Sequence, residues 1–254
     1  MKRMLARTLA VAMMASVMIP AGRAADHLNL EEGLPVQIED AYPIGFMGRE
    51  FQGLARYEHA EDGTDTIIFR PVLEVGVWRN AQVAVESDLI AGNGDRTGSG
   101  NVAVHGLYNF NTETLAWPAL AIKGGLEFPT GKSAEGVDTT LKFLLTKTVG
   151  KSLDSLDRIH FNAAWMHNAE ALEDERDDHY MLGLGYSRRV HADAILVVDY
   201  IFEQERQEDT DMHLIELGLR YQCTPLSVIA AGIGTGVAED SPELRATFAF
   251  QRSF

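Results

Sequence analysis

The chain has 254 residues, a formal net charge of −15 and one cysteine, Cys223. A single cysteine excludes an intrachain disulfide and a zinc site built from several thiolates. The acidic excess argues against nucleic-acid binding, which needs clustered Lys and Arg to neutralise phosphates.

The first 24 residues have the pattern of a secretory signal peptide. Three cations lie within the first seven residues, an apolar run spans 9–18, and a small-residue cleavage site ends at Ala24. The apolar run is too short to anchor the chain, because crossing a bilayer takes about 20 residues. We therefore expect export and a single mature domain, residues 25–254. Removing the segment, which holds four cations and no acids, lowers the formal charge from −15 to −19.

Segments that alternate between apolar and polar residues recur along the mature chain and predict β-strands. In 66–77 the odd positions are apolar. In 212–221, Leu217 falls on one face, while Gly218 and Arg220 fall on the other. The remaining predicted strands are 50–58, 81–89, 101–110, 118–128, 140–148, 159–166, 180–187, 193–202, 226–235 and 244–254.

The last of these strands carries the most informative pattern. Phe254, Phe250, Phe248 and Leu244 share one face, and Gln251, Ala249, Thr247 and Arg245 fall between them. A terminal aromatic on such a strand is typical of outer-membrane barrels, which place apolar residues toward lipid and aromatics at the interface. The count of about 12 strands is even, as in single-chain barrels of this kind. We therefore predict an all-β protein, an antiparallel transmembrane β-barrel.

The connections agree with a barrel, since short turns alternate with longer loops. The connection at 150–157 is the exception, because it is long for a turn. A soluble β-barrel or sandwich remains the alternative, since its strands also alternate. The short turns are 78–80, 111–116, 188–192 and 222–225, and the longer loops are 91–100, 129–138, 168–179 and 203–211.

Four short segments, in order, resemble the MetA-pathway of phenol degradation family. They are Ile38-Glu39-Asp40-Ala41-Tyr42-Pro43, Gly98-Ser99-Gly100-Asn101, Trp117-Pro118-Ala119-Leu120-Ala121 and Pro129-Thr130-Gly131. The resemblance covers most of residues 35–254, and Asn101 stands where the family more usually has Asp. It implies an outer-membrane barrel of transporter or channel type, and it supplies no catalytic residues.

Charged residues at the predicted inward positions would line the lumen of such a barrel. Because both signs occur, an open pore and a lumen closed by salt bridges both remain possible. We expect passive passage of small molecules, aromatic or hydrophobic ones among them, without a cofactor or a metal site. The expected partners are outer-membrane lipid and, through the strand ending in Phe254, the barrel-assembly machinery. The predicted lumen-lining residues are Arg56, Arg70, Glu74, Glu86, Asp88, Lys123, Glu127, Lys142, Asp199, Glu216, Arg220 and Arg245.

Two other functions fit a membrane barrel. A structural or adhesive barrel would bind a partner through its outer loops. A lipid-modifying barrel enzyme would need a Ser and a His in contact, whereas the sequence predicts His160 near the outer half and Ser187 at the opposite end. The acidic runs 170–178 and 203–211 could attract divalent cations, but they lack the spacing of a defined calcium loop.

Overall fold

The computed structural model describes residues 24–94, 97–131, 136–150 and 155–254. The predicted signal peptide, apart from Ala24, lies outside this part of the chain. The described residues form twelve strands in chain order. They are Arg49–His59 (β1), Asp65–Trp78 (β2), Ala81–Gly92 (β3), Gly98–Asn111 (β4), Ala119–Phe128 (β5), Asp138–Thr148 (β6), Arg158–His167 (β7), Asp178–His191 (β8), Ala194–Gln204 (β9), Asp211–Thr224 (β10), Ser227–Gly236 (β11) and Leu244–Ser253 (β12).

The strands form one closed antiparallel barrel in which each strand pairs with its neighbours in the chain. The barrel closes between β1 and β12, in a register that runs from Glu50 opposite Ser253 to His59 opposite Leu244. Closure removes the unpaired strand edges that an open sheet would expose. The predicted fold class and strand number are confirmed.

Side chains alternate between the two surfaces of the wall. On β10, Leu217 is 46% exposed, whereas Glu216 and Gly218 on either side of it are buried. Large apolar residues are exposed in the same way around the barrel, including Phe69 and Phe248. A continuous apolar surface of this kind is unfavourable in water and suits a lipid environment. Among the described residues, no helix is long and apolar enough to cross a bilayer.

The two ends of the barrel differ in their connections. At the turn end, the shortest connections join β2 to β3, β8 to β9 and β10 to β11, and a register shift precedes each one. In the described part of the connection between β6 and β7, Asp157 accepts hydrogen bonds from Tyr186 (2.5 Å) and Ser155 (2.7 Å). These bonds lower the pKa of Asp157 below its usual value. The opposite end, the loop end, carries the acidic loops.

Candidate functional site: the barrel lumen

The lumen is occupied by the residues that precede β1. This lumenal segment, residues 25–48, enters at the turn end, where the Ala25 amide donates to the Pro225 carbonyl over 2.8 Å. It rises to a tight hairpin whose tip comprises residues 31–36, and Gly33 adopts a φ of 78° there. The segment then returns to the turn end, where the Met47 amide donates to Gly76 of β2.

The returning arm follows the inner wall and is bound by one strand after another. Its backbone amides donate to side chains of the wall. The hydrogen-bonding capacity of these amides is therefore satisfied although the arm has no regular secondary structure. The wall also donates in return, since Asn162 bonds the Glu39 carbonyl and Asn109 bonds the Ala41 carbonyl. The amide contacts are Gln37 to Glu216 on β10, Ile38 to Asp199 on β9, Glu39 to Asn162 on β7, Ala41 to Thr146 on β6 and Ile44 to Gln82 on β3, at 2.6 to 3.0 Å.

Glycines on the inward face of the wall leave room for the lumenal segment. A Cβ at Gly218 would lie 2.3 Å from Pro35 Cγ, and one at Gly185 would lie 2.7 Å from Ile38 Cγ1. Distances below 3.0 Å require a neighbouring atom to move. The wall is therefore shaped to hold this segment closely, and the segment packs there as part of the core.

Arg220 of β10 joins the rising arm and the tip of the segment to the wall. Its guanidinium donates to the carbonyls of His27 (3.3 Å) and Leu34 (2.6 Å), and to the side chain of Gln251 (2.7 Å). The residue is completely buried. Arg158 also binds the lumenal segment to the wall, at the turn end, where it donates to the Leu28 carbonyl.

The hairpin tip meets a pair of lysines on the opposite wall. Lys123 of β5 and Lys142 of β6 lie directly opposite each other in the strand register. Lys123 Nζ is 3.0 Å from carboxylate oxygens of both Glu32 and Glu39, and Lys142 Nζ is 2.8 Å from Glu32 and 3.5 Å from Glu39. Both carboxylates come from the lumenal segment, so this four-charge cluster fastens the tip to the barrel.

Above the cluster, toward the loop end, the wall formed by β2 to β4 is charged and partly exposed. Arg70 makes a bidentate pair with Asp88, with N–O distances of 2.6 and 2.9 Å, and lies 3.8 Å from Glu86. His105 Nε2 is 3.2 Å from the same Glu86 carboxylate. These side chains are accessible to water, in contrast to the buried contacts around the returning arm.

The inner wall formed by β7 to β10 is mainly apolar at this height, and Glu203 of β9 is its one acidic side chain there, between Met181 and Met212 in the strand register. Met181, Ile201, Met212 and Leu214 form a buried cluster with Ala164. The strand register places Ala164 beside Lys142 and Met181 beside Ala164. At the level of the hairpin tip, the lumen therefore has one charged side and one mainly apolar side that carries the single carboxylate of Glu203.

Two cavities lie at the mouths of the lumen. The cavity at the turn end has a volume of about 410 Å³ and lies between the two arms of the lumenal segment, with Asp26, Asp40 and Arg158 in its lining. The cavity at the loop end has a volume of about 290 Å³ and includes Glu58 and Arg245, which pair at 2.7 Å.

The charged residues selected from the sequence have distinct surroundings in the structure. Those at mid-height contact the lumenal segment, and those nearer the loop end pair mainly with one another. The sequence did not reveal the lumenal segment itself or its neutral partners Gln82, Asn109, Thr146 and Asn162. The first group comprises Arg56, Lys123, Lys142, Asp199, Glu216 and Arg220; Arg70, Glu86, Asp88 and Arg245 form charged pairs; Glu74 accepts from Gln52 and Gln82, and Glu127 accepts from Asn101.

The predicted separation of His160 and Ser187 is wrong. Because β7 begins at the turn end, His160 lies beside the end of β8, and its Nε2 is 2.9 Å from Ser187 Oγ. The other ring nitrogen is 3.1 Å from Thr146 Oγ1, where a Ser–His–Asp triad would have a carboxylate. His160 and Ser187 are both buried, so the contact holds three strands together at the base of the returning arm.

The acidic loops at the loop end are organised by two arginines. Arg176 donates through one nitrogen to the carbonyls of Glu205, Gln207 and Thr210. Arg206 pairs with Asp138 at 2.6 Å. In the described residues, no group of three or more His, Cys, Asp and Glu side chains has the arrangement of a metal site.

The fold and its occupied lumen define a closed 12-stranded barrel with an internal segment, and solved outer-membrane channels share this fold. The COG4313 outer membrane channel from Pseudomonas putida F1 is 13% identical, with a TM-score of 0.63 over 89% of this chain and all of that chain. The KdgM porin is 10% identical, with a TM-score of 0.56 over 81% of this chain and 99% of that chain. The CymD monoaromatic hydrocarbon channel is 10% identical, with a TM-score of 0.52 over 86% of this chain and 95% of that chain. Protein-family models and curated proteins give no match to the sequence.

Proposed function

We propose that this protein is an outer-membrane channel for the passive passage of small molecules, aromatic and hydrophobic ones among them. The observation that carries the proposal is the lumenal segment, which separates the two cavities and is held by hydrogen bonds and ion pairs within a complete barrel wall. These contacts are separate from the backbone hydrogen bonds that pair the strands. The shared fold of the outer-membrane channels supports the same conclusion.

The orientation follows from the proposed location. The turn end would face the periplasm, as the short turns of outer-membrane barrels do, and the loop end would face outward. Export through the signal peptide would leave Ala25 as the first residue. Intact-mass measurement of the membrane-inserted protein tests this point, and retention of residues 1–24 would contradict it.

Conductance and solute flux test the channel itself. Refolded protein in a planar bilayer should show discrete openings, and proteoliposomes should admit small aromatic solutes faster than protein-free liposomes. A variant lacking residues 25–44 should conduct more than the intact protein, because the wall would remain while the segment is removed. No conductance and no flux from either protein would refute the proposal.

The occupied lumen also favours a second candidate, a structural or adhesive barrel whose pore stays shut. Such a protein would show neither conductance nor flux, and it would bind a partner through the loops ordered by Arg176 and Arg206. The same bilayer experiment separates the two functions.

A further inference from the structure

The lysine pair that holds the hairpin tip has the properties of an anion site. Lys123 and Lys142 lie opposite each other on neighbouring strands, an arrangement that is unfavourable unless anions bridge the two charges. The bridging carboxylates, Glu32 and Glu39, both belong to the lumenal segment.

The two carboxylates differ in how firmly they are held. Glu39 is 1% exposed, and its backbone is bonded on both sides to Asn162 of the wall. Glu32 is 26% exposed and lies at the hairpin tip, where its carboxylate is bonded by the two lysines and, at 3.4 Å, by Gln37. Glu32 is therefore the carboxylate that can leave the cluster.

Charge balance determines what can replace Glu32. Without it, Glu39 is the carboxylate that remains within ion-pair distance of Lys123 and Lys142, and Lys142 is only 3% exposed. An uncompensated charge in such a place is strongly unfavourable. Movement of the tip is thus coupled to the arrival of another anion, and a carboxylate matches the one that departs.

The neighbouring wall indicates what the anion should carry. Ala164 is the register partner of Lys142, and Met181 is the register partner of Ala164. Methionine side chains adapt readily to apolar and aromatic groups of different shape. A solute with a carboxylate at one end and an apolar body at the other would place both parts favourably.

We propose that Lys123 and Lys142 bind the carboxylate of a small organic acid with an apolar body, and that Glu32 occupies this site when no solute is present. The inference deepens the proposed channel function and rests on it. It names the substrate class of the lumen and makes Glu32 an internal competitor of the solute.

Three probes of similar shape test the site: benzoate, benzamide and benzylamine. Flux of each into proteoliposomes should show saturation for benzoate and a linear concentration dependence for the other two. In E32Q the concentration for half-saturation by benzoate should fall by about tenfold, because the competing carboxylate is gone. In K123Q/K142Q benzoate should lose its saturation and behave like benzamide.

Two further variants control for unrelated effects. E127Q removes a lumenal carboxylate that accepts from Asn101, away from the lysine pair, and should leave benzoate flux unchanged. K123R keeps the charge and should keep saturation even if the double lysine variant does not fold. Equal, linear flux of all three probes, or no change in the benzoate response of E32Q, would overturn the site while leaving a channel. Absence of flux and conductance with every solute would refute the channel function and the site together.

Discussion

Substitution of Gly218 by alanine tests whether the hairpin tip is seated as described. The new Cβ would lie 2.3 Å from Pro35 Cγ and 2.9 Å from Val36 Cγ1, both in the tip. Gly218 pairs with Val197 on one neighbouring strand and with Gly232 on the other. This pairing on both sides restrains the backbone of β10 from moving away from the new Cβ. The strain should therefore fall on the lumenal segment.

Overpacking by a single methyl group costs about 1–3 kcal/mol. If the docked tip bears this cost, the ratio of undocked to docked protein rises by about 5- to 150-fold, because each 1.4 kcal/mol is roughly a factor of ten. The expected result is a higher open probability in a planar bilayer. A cysteine at position 37, in a background with C223S, should also react faster with a water-soluble maleimide.

Gly124 gives the matched control, because a Cβ there would meet no atom within 4 Å. G124A should leave both open probability and labelling rate unchanged. If G218A behaves like G124A in both assays, the tip does not rest on Gly218 and the packing argument fails.

Three other predictions concern the wall and the turn end. Deletion of Phe254 should reduce the fraction of heat-modifiable, membrane-inserted protein, since the closing strand loses its terminal aromatic; normal insertion would contradict the proposed role of this residue. L217R, on the exposed face near the middle of β10, should lower the free energy of unfolding in lipid by about 2–4 kcal/mol, whereas L244R at a strand end should cost about 0–1 kcal/mol; equal costs would show that depth is misassigned. Y186F should raise the pKa of Asp157 toward its usual value in an NMR titration. Because the folded pKa of Asp157 is depressed, its contribution is present above the unfolded pKa of 3.8 and is lost as pH falls through the folded value, and Y186F should weaken this dependence.

The strands could be predicted because lipid imposes a simple rule on them. Leu217 and Phe248 must face outward and their neighbours inward, so the sequence shows a period of two. The same rule holds for every strand, and it requires no knowledge of distant contacts. This is why the number of strands and the closing strand could be predicted from the sequence.

The lumenal segment could not be predicted in this way, because its partners lie far away in the chain. The amide of Ile38 is bonded by Asp199, and that of Glu39 by Asn162. A periodic pattern within a short stretch of sequence does not indicate contacts between residues so far apart in the chain. Inward polar residues such as Thr146 and Asn162 did not indicate these pairings, because a water-filled lumen is also lined by polar side chains.

The candidate site likewise contains some residues that alternation predicts and others that it does not. Lys123 and Lys142 were identified as inward residues from alternation, but their partners Glu32 and Glu39 lie outside any strand. The error over His160 and Ser187 arose from the direction of β7, since a residue early in that strand lies at the turn end.

In the proposed channel, membrane fit and permeability would be encoded in different residues, because the wall and the lumenal segment are separate parts of the chain. Outward positions such as Leu217 determine how the protein sits in lipid, while the 24 residues before β1 determine how much of the interior is left free. Changes in length or sequence before Arg49 can therefore alter the bore without altering the barrel. The ring of paired strands closes without any strand from the lumenal segment, which is bound to it from the inside.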